Sequence, residues 1–233
     1  MKPFLEIADL HAWYGESHVL HGVDMTVGEG EMVTILGRNG VGKTTTLRTI
    51  IGILRERRGR IVLGGKDMMD VPLHRTAHHG IGFVPEERGI FSTLTVEENL
   101  MLPPVVASGG MSLDEIFELF PNLHERRSSP GTKLSGGEQQ MLAMARILRT
   151  GVRVLLLDEP TEGLAPVIVQ RIGEVLKKLK ERGMTVLLVE QNFRFASKIA
   201  DRFYLMDHGQ IVGTFPVAEL PDQMGMLNKV LGV

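Results

Sequence analysis

Short hydrophobic runs separated by glycine-containing turns dominate the first part of the chain. They predict short strands at Leu5–Leu10, Val19–Leu20, Val23–Val27 and Met32–Leu36. Turns such as Gly28-Glu29-Gly30 lie between them, so this region predicts an antiparallel β subdomain. The hydrophobic period then changes and predicts a helix over Gly42–Ile51, which is followed by a strand at Arg60–Leu63 and a hairpin turn at Gly64-Gly65.

Later hydrophobic runs predict strands of a second kind. They lie at Ile81–Val84, Val152–Leu157, Thr185–Val189 and Phe203–Met206. Three of them are hydrophobic on consecutive residues, as expected for strands that are buried on both faces of a parallel sheet. A helix with apolar residues at helical spacing is predicted between two of these strands, over Pro166–Arg182. This alternation predicts an α/β core.

A block without any strand pattern separates the predicted strand at Ile81–Val84 from the one at Val152–Leu157. It contains three helical stretches, at Val96–Met101, Ser112–Leu119 and Gly136–Leu148. We interpret the block as a helical subdomain over about residues 88–150, inserted into one domain. Residues 1–87 and 151–233 then form the nucleotide-binding α/β core with its β subdomain.

Composition narrows the class of protein. The 233 residues carry 26 basic and 28 acidic side chains, and this balance argues against a dedicated nucleic-acid binder. The absence of cysteine excludes disulfides, thiolate nucleophiles and cysteine zinc sites. The N-terminus has no continuous apolar segment of the secretory type, and no run of about 18 apolar residues could span a bilayer. We therefore expect a soluble, cytosolic protein.

The clearest chemical signal is a phosphate-binding loop. The octapeptide Gly37-Arg38-Asn39-Gly40-Val41-Gly42-Lys43-Thr44 matches G-x-x-x-x-G-K-[ST] between a predicted strand and a predicted helix. Its glycines let backbone N–H groups point at phosphate oxygens, aided by the positive end of the helix. Lys43 can reach the β- and γ-phosphates, and the Thr44 hydroxyl can bind Mg²⁺. We take this loop, together with Thr45, as a nucleotide-binding segment.

Three classes of phosphate-loop protein are compatible with this loop: a GTPase switch, a small-molecule kinase and an ATP-driven mechanical subunit. A GTPase normally reads guanine with N-K-x-D, but Asn228-Lys229 is followed by Val230 and Leu231. A small kinase needs a lid and a second-substrate pocket, and it would not explain the next two motifs.

The segment Leu134-Ser135-Gly136-Gly137-Glu138-Gln139-Gln140 leads into a predicted helix and is followed by Leu157-Asp158-Glu159-Pro160. Ser135 and the glycines at a helix start offer hydroxyl and N–H donors for a γ-phosphate, although an ordinary N-cap would look the same. Asp158 at the end of a strand can hold Mg²⁺, and Glu159 beside it can polarise an attacking water.

With these motifs in this order, the chain resembles the nucleotide-binding subunits of ABC transporters over nearly its whole length. The resemblance implies an ATPase with Mg²⁺, in which Tyr14 stacks on adenine; the alternative for Tyr14 is a core tyrosine near a strand end. It also implies that two subunits close head-to-tail, so that each ATP lies between one phosphate loop and the Ser135-Gly136-Gly137-Glu138 segment of the other. The segment Glu162-Gly163-Leu164-Ala165 matches the loop that crosses to that partner.

Two positions depart from the usual pattern of this family. Glu86 stands where a glutamine is usual, and its carboxylate can still face Mg²⁺ or the attacking water. Gln191 stands where a histidine is usual, and it can hydrogen-bond a γ-phosphate but cannot titrate. With both departures, the chain resembles one branch of the family, the second ATP-binding subunit of branched-chain amino-acid importers. Importers of urea and short amides, or a soluble ABC-type ATPase acting on nucleic acid or ribosomes, are the alternatives.

The resemblance further implies the partners and the location of the chain. It implies two membrane permeases, a second ABC ATPase subunit that is identical or related, and indirectly a periplasmic solute-binding protein, with no nucleic acid. The chain would then lie peripherally on the cytoplasmic face of the inner membrane. We expect permease docking around Glu86–Phe91 and the helical insertion.

Overall fold

The computed structural model describes residues 3–232, which form ten strands, nine α-helices and three short 3-10 turns. The strands are β1 (Pro3–Tyr14), β2 (Ser17–Gly28), β3 (Met32–Leu36), β4 (Arg57–Leu63), β5 (Lys66–Asp67), β6 (Ile81–Val84), β7 (Val154–Asp158), β8 (Thr185–Glu190), β9 (Arg202–Asp207) and β10 (Gln210–Pro216). The helices are α1 (Lys43–Ile50), α2 (Leu73–Thr76), α3 (Val96–Met101), α4 (Leu113–Leu119), α5 (Pro121–Glu125), α6 (Gly136–Leu148), α7 (Pro166–Glu181), α8 (Phe193–Ala196) and α9 (Leu220–Leu231).

The strands divide between two sheets. A four-stranded antiparallel sheet has the order β2-β1-β4-β5. A six-stranded sheet has the order β10-β9-β3-β8-β7-β6, in which only the edge strand β10 is antiparallel to its neighbour. The mixed architecture is the α/β core with an antiparallel β subdomain that the hydrophobic pattern predicts.

The six-stranded sheet is covered on both faces, and alternate residues of each strand serve different layers. On β7, Val154 and Leu156 share a core with α1 and the four-stranded sheet. Leu155 and Leu157 point to the other face and pack with α6 and α7. Burial on both faces explains why this strand is hydrophobic on every residue from Val154 to Leu157, since successive side chains of a strand point to opposite sides.

The β subdomain differs in detail from its prediction. The two strands predicted at Val19–Leu20 and Val23–Val27 are one continuous strand, β2. Polar residues such as His18 and His21 lie on this strand because one face of the hairpin is exposed. They interrupt the hydrophobic run, so the pattern predicts two short strands instead of one long strand. Irregular register beside Asp9, whose φ is 46°, interrupts the alternation on β1 as well.

A group of helices lies between β6 and β7, in the block where the sequence predicts a helical insertion. The helices α3, α4 and α6 each begin with a capping box, at Thr95, Ser112 and Ser135. In such a box the hydroxyl accepts the backbone N–H three residues on, and the glutamate there accepts the N–H of the cap. Within residues 3–232, no helix is both long and apolar enough to cross a membrane.

Candidate functional site

Three loops that leave adjacent parallel strands meet at one edge of the six-stranded sheet. Leu36 at the end of β3 pairs with Glu190 at the end of β8, and Asp158 at the end of β7 pairs with Val189. Ligands of open α/β sheets bind outside the carboxyl ends of the strands. The phosphate loop, the Asp158-Glu159 pair and the Gln191 segment therefore converge at this edge.

The phosphate loop needs its glycines. A Cβ on Gly37 would lie 2.6 Å from the Met206 carbonyl oxygen, and Gly42 has a φ of 110°, which other residues rarely adopt. Arg38, Asn39 and Gly40 are exposed and Val41 is half-buried, whereas Lys43 and Thr45 are buried. No side chain in the described residues caps the start of α1, so its first backbone N–H groups remain available to an anion.

Lys43 is buried and uses all three donors of its ammonium group. Its Nζ donates to the carbonyl oxygens of Gly37 at 2.9 Å and of Arg38 at 3.0 Å, and it forms an ion pair with Glu159 Oε1 at 2.9 Å. The ammonium has no fourth donor. A γ-phosphate at this position would therefore compete with Glu159 for the same charge.

Thr44 and Asp158 form a pair of oxygen ligands suited to Mg²⁺. The Thr44 hydroxyl donates to Asp158 Oδ1 at 2.8 Å, while the buried Oδ2 has no partner among the described residues. Burial raises the pKa of Asp158 to about 6, and the carboxylates of Glu159 and Glu86 add to the effect. An unpartnered buried carboxylate oxygen beside a hydroxyl fits Mg²⁺, which takes one or two protein oxygens and completes its shell with phosphates and water.

Glu159 occupies a strained backbone position at the centre of the site. Its φ is 44°, and its N–H donates to the Val189 carbonyl at 3.0 Å, which fixes it against the end of β8. A hydrogen bond with the Glu159 carboxyl, together with burial, raises the pKa of Glu162. Glu86 is exposed on the loop after β6, and its charge reaches both Asp158 and Glu162. The structure thus brings four carboxyl groups together beside one lysine.

Gln191 is exposed and lines a cavity of about 300 Å³. One wall of the cavity comes from the Glu159–Gly163 segment, and the other from Glu190, Gln191 and Asn192. Glu159 of the acidic pair and Gln191 therefore line the same cavity.

Tyr14 lies at the end of β1 and pairs with Ser17 across the turn. Its side chain is 46% exposed, so the alternative of a core tyrosine is wrong. An exposed aromatic ring is available for stacking on a base.

The Ser135 segment is joined to a neighbouring loop rather than to the phosphate loop of the same chain. Ser135 caps α6, and the Glu138 carboxylate accepts the Ser135 N–H at 2.7 Å. A Cβ on Gly137 would lie 2.5 Å from Ile168 Cγ2, so the helix start packs tightly on α7. The Arg88 guanidinium lies against Gly136 and donates to the Gln139 side chain at 3.0 Å.

Sequence reasoning assigned no catalytic or nucleotide-binding role to three residues that contact the predicted motifs. Glu190 and Thr161 line the cavity, and Arg88 lies against the start of α6. Glu190 carries a usable signal, because it is the one charged residue at the carboxyl end of an otherwise uncharged strand. The Thr161 and Arg88 contacts depend on tertiary structure and have no comparable signal.

The loop, the buried lysine and the Thr44–Asp158 pair at the carboxyl edge of a parallel sheet define a phosphate-loop nucleoside triphosphatase. A family model described as ABC transporter matches residues 20–162. The chain belongs to the ABC transporter family and is its ATP-binding subunit, an ATPase. The predicted family, fold class and enzyme class are confirmed.

Curated relatives cover most of the chain. It is 42% identical over 211 residues to the high-affinity branched-chain amino acid transport ATP-binding protein BraG of Pseudomonas aeruginosa, covering 89% of this chain and 91% of BraG. It is 36% identical to a probable branched-chain amino acid transport ATP-binding protein, LivF, of Archaeoglobus fulgidus, covering 98% and 99%. It is also 37% identical to the lipopolysaccharide export system ATP-binding protein LptB of Haemophilus influenzae, covering 86% of each.

Solved structures share the fold. A nucleotide-free ATP-binding cassette from an ABC transporter superposes with a TM-score of 0.86 at 25% identity, covering 99% of both chains. A dimeric ATP-binding cassette in a post-hydrolysis state, bound to ADP and Pi, superposes with a TM-score of 0.80 at 27% identity, covering 91% of this chain and 98% of that one.

Proposed function

We propose that this chain is the energy-coupling ATPase of an importer for branched-chain amino acids. Two relatives named for branched-chain amino acid transport, one of them matched over nearly the whole chain, support this substrate class. The relative named for lipopolysaccharide export has similar identity and makes an export system the second candidate. An importer of urea or short amides is a further alternative, because similar subunits serve it.

The observation that carries the hydrolytic part of the proposal is the contact of Glu159 with Lys43 at 2.9 Å, beside the Thr44–Asp158 pair. When ATP binds, its γ-phosphate competes for the Lys43 ammonium and releases the Glu159 carboxylate. Glu159 then accepts a proton from the water that attacks the γ-phosphorus, while the bond to the β–γ bridging oxygen breaks and ADP leaves.

The other groups of the site hold and orient the nucleotide. Backbone N–H groups from Gly37 to Thr45 bind the phosphates, and Tyr14 stacks on adenine. Thr44 and Asp158 would hold Mg²⁺, with Glu86 facing it. When bound, Mg²⁺ supplies positive charge that neutralises the β- and γ-phosphate oxygens. Gln191 hydrogen-bonds the γ-phosphate without carrying charge.

The second half of each site comes from another ABC ATPase subunit. Its Ser135-Gly136-Gly137-Glu138 segment, or the related segment of a different subunit, closes over the ATP bound by this chain. Closure moves two permeases against which the pair is docked, and hydrolysis reopens the pair. A periplasmic binding protein delivers the solute, and the chain lies peripherally at the cytoplasmic face of the inner membrane. Docking through the Glu86–Phe91 segment and the helical insertion needs no contact with lipid.

The test is a pull-down of the tagged chain from native membranes, followed by uptake of labelled leucine and labelled urea in a deletion strain. We expect two permeases to copurify, and leucine uptake to be restored by the wild-type gene but not by Glu159→Gln. If the gene restores urea uptake and leaves leucine uptake unchanged, the transported solute is urea and not a branched-chain amino acid. Copurification with lipopolysaccharide export components would favour the second candidate, and copurification with ribosomes would contradict the transport role.

A further inference from the structure

One buried carboxylate that lines the cavity beside Glu159 and Gln191 has no assigned role. Glu190 is the last residue of β8, is 2% exposed, and forms no salt bridge with a basic side chain of the described residues. Burial raises its pKa to about 7, and the charge of the Glu159 carboxylate adds to this effect. An unpaired buried carboxyl destabilises a fold, and a neutral side chain would serve a purely structural position better.

Both oxygens of this carboxylate are used, and each holds a different segment. The Thr161 hydroxyl donates to Glu190 Oε1 at 2.7 Å, and the backbone N–H of Asn192 donates to Oε2 at 3.2 Å. Thr161 follows Glu159 by two residues, and Asn192 directly follows Gln191. The two segments that form the walls of the cavity are therefore joined through one side chain.

We propose that Glu190 is a positioning residue for ATP hydrolysis, which fixes the Glu159 segment relative to the Gln191 segment through its two hydrogen bonds. It acts through Thr161 and Asn192 and does not itself contact the nucleotide. The inference rests on the hydrolytic roles proposed for Glu159 and Gln191. Small displacements of a catalytic group lower rates steeply, so a change at Glu190 should alter turnover more than ATP affinity.

The experiment compares steady-state ATPase activity and melting temperature for the full chain and five variants. Glu190→Leu removes both hydrogen bonds, and we expect kcat to fall at least about tenfold while the KM for ATP stays within about twofold. Glu190→Gln keeps both bonds without charge, since its amide oxygen accepts the Asn192 N–H and its NH₂ donates to the Thr161 hydroxyl. We expect it to retain most of kcat. Thr161→Val removes one bond and should have an intermediate kcat.

Thr185→Val is the matched control. Thr185 is also buried on β8, but at the opposite end, where its hydroxyl accepts the Gly30 N–H at 2.9 Å. We expect this variant to lose stability without losing kcat. Wild-type kcat in both Glu190→Leu and Thr161→Val would overturn the inference, as would an equal loss of kcat in Thr185→Val.

Two further comparisons keep the result decisive. If Glu190→Leu does not fold, Thr161→Val and Glu190→Gln decide, and wild-type kcat in Thr161→Val overturns the inference. Glu159→Gln is measured beside them. Full turnover in Glu159→Gln would contradict the proposed hydrolytic mechanism itself, whereas an inactive Glu159→Gln with a fully active Glu190→Leu would contradict the role of Glu190 alone.

Discussion

Replacing Glu190 by glutamine should make the stability of the chain less sensitive to pH. The pKa of this carboxyl rises from 4.5 to about 7 on folding, chiefly through burial. At about 1.36 kcal/mol per pKa unit, the shift corresponds to about 3 kcal/mol of unfolding free energy. The native state binds the Glu190 proton more tightly than the unfolded state, so the wild-type chain loses this stability as pH rises from about 4.5 to about 7. Glutamine has no proton to lose.

The assay is urea unfolding of wild type and Glu190→Gln between pH 5 and pH 8, with EDTA and without nucleotide. We expect the stability of the variant relative to wild type to increase by about 2–3 kcal/mol over this range. Asp158 titrates in both proteins, so its contribution cancels. Glu98→Gln is the flat control, because hydrogen bonds from Thr95 lower the pKa of Glu98 and this carboxyl therefore titrates mainly below the range that is measured. A stability difference between wild type and Glu190→Gln that stays constant across this range would refute the reasoning.

Three further predictions concern packing, adenine and the metal. Gly137→Ala should lower the melting temperature, at a cost of about 1–3 kcal/mol, because its Cβ would lie 2.5 Å from Ile168 Cγ2; an unchanged melting curve would contradict this packing. Tyr14→Ala should weaken ATP binding in calorimetry by about tenfold, while Tyr14→Phe should bind ATP as tightly as wild type does. Equal ATP affinities of Tyr14→Ala and wild type would exclude stacking. Thr44→Val should weaken the Mg²⁺ dependence of ATP affinity, because it removes the hydroxyl ligand and leaves the carboxylate of Asp158; an unchanged Mg²⁺ titration would place the metal elsewhere.

The parts of the fold that can be predicted from the sequence are those that neighbouring residues determine. The strand Ile81–Val84 and the helices Val96–Met101 and Gly136–Leu148 lie where the pattern predicts them. The Gly37–Thr44 loop follows β3 and opens α1 as its motif requires. Each of these depends on hydrophobic period or on backbone freedom, which neighbouring residues determine.

The interactions across the site do not follow from sequence because they depend on strand register. Lys43 contacts Glu159, and Thr161 contacts Glu190, across separations that no motif spacing encodes. The pairings of Leu36 with Glu190 and of Asp158 with Val189 bring these segments together, and one residue of slip would turn every side chain of a strand to the other face. For the same reason, Glu190 gains its role only once its burial between two strands is known.

The most direct test of the whole account is Glu159→Gln in the full chain. The variant keeps an acceptor near Lys43 but cannot take a proton from water. We predict that it binds ATP, forms an ATP-dependent dimer in size-exclusion chromatography with its partner subunit or with itself, and hydrolyses ATP at less than about one hundredth of the wild-type rate. Wild-type turnover in this variant would contradict the account.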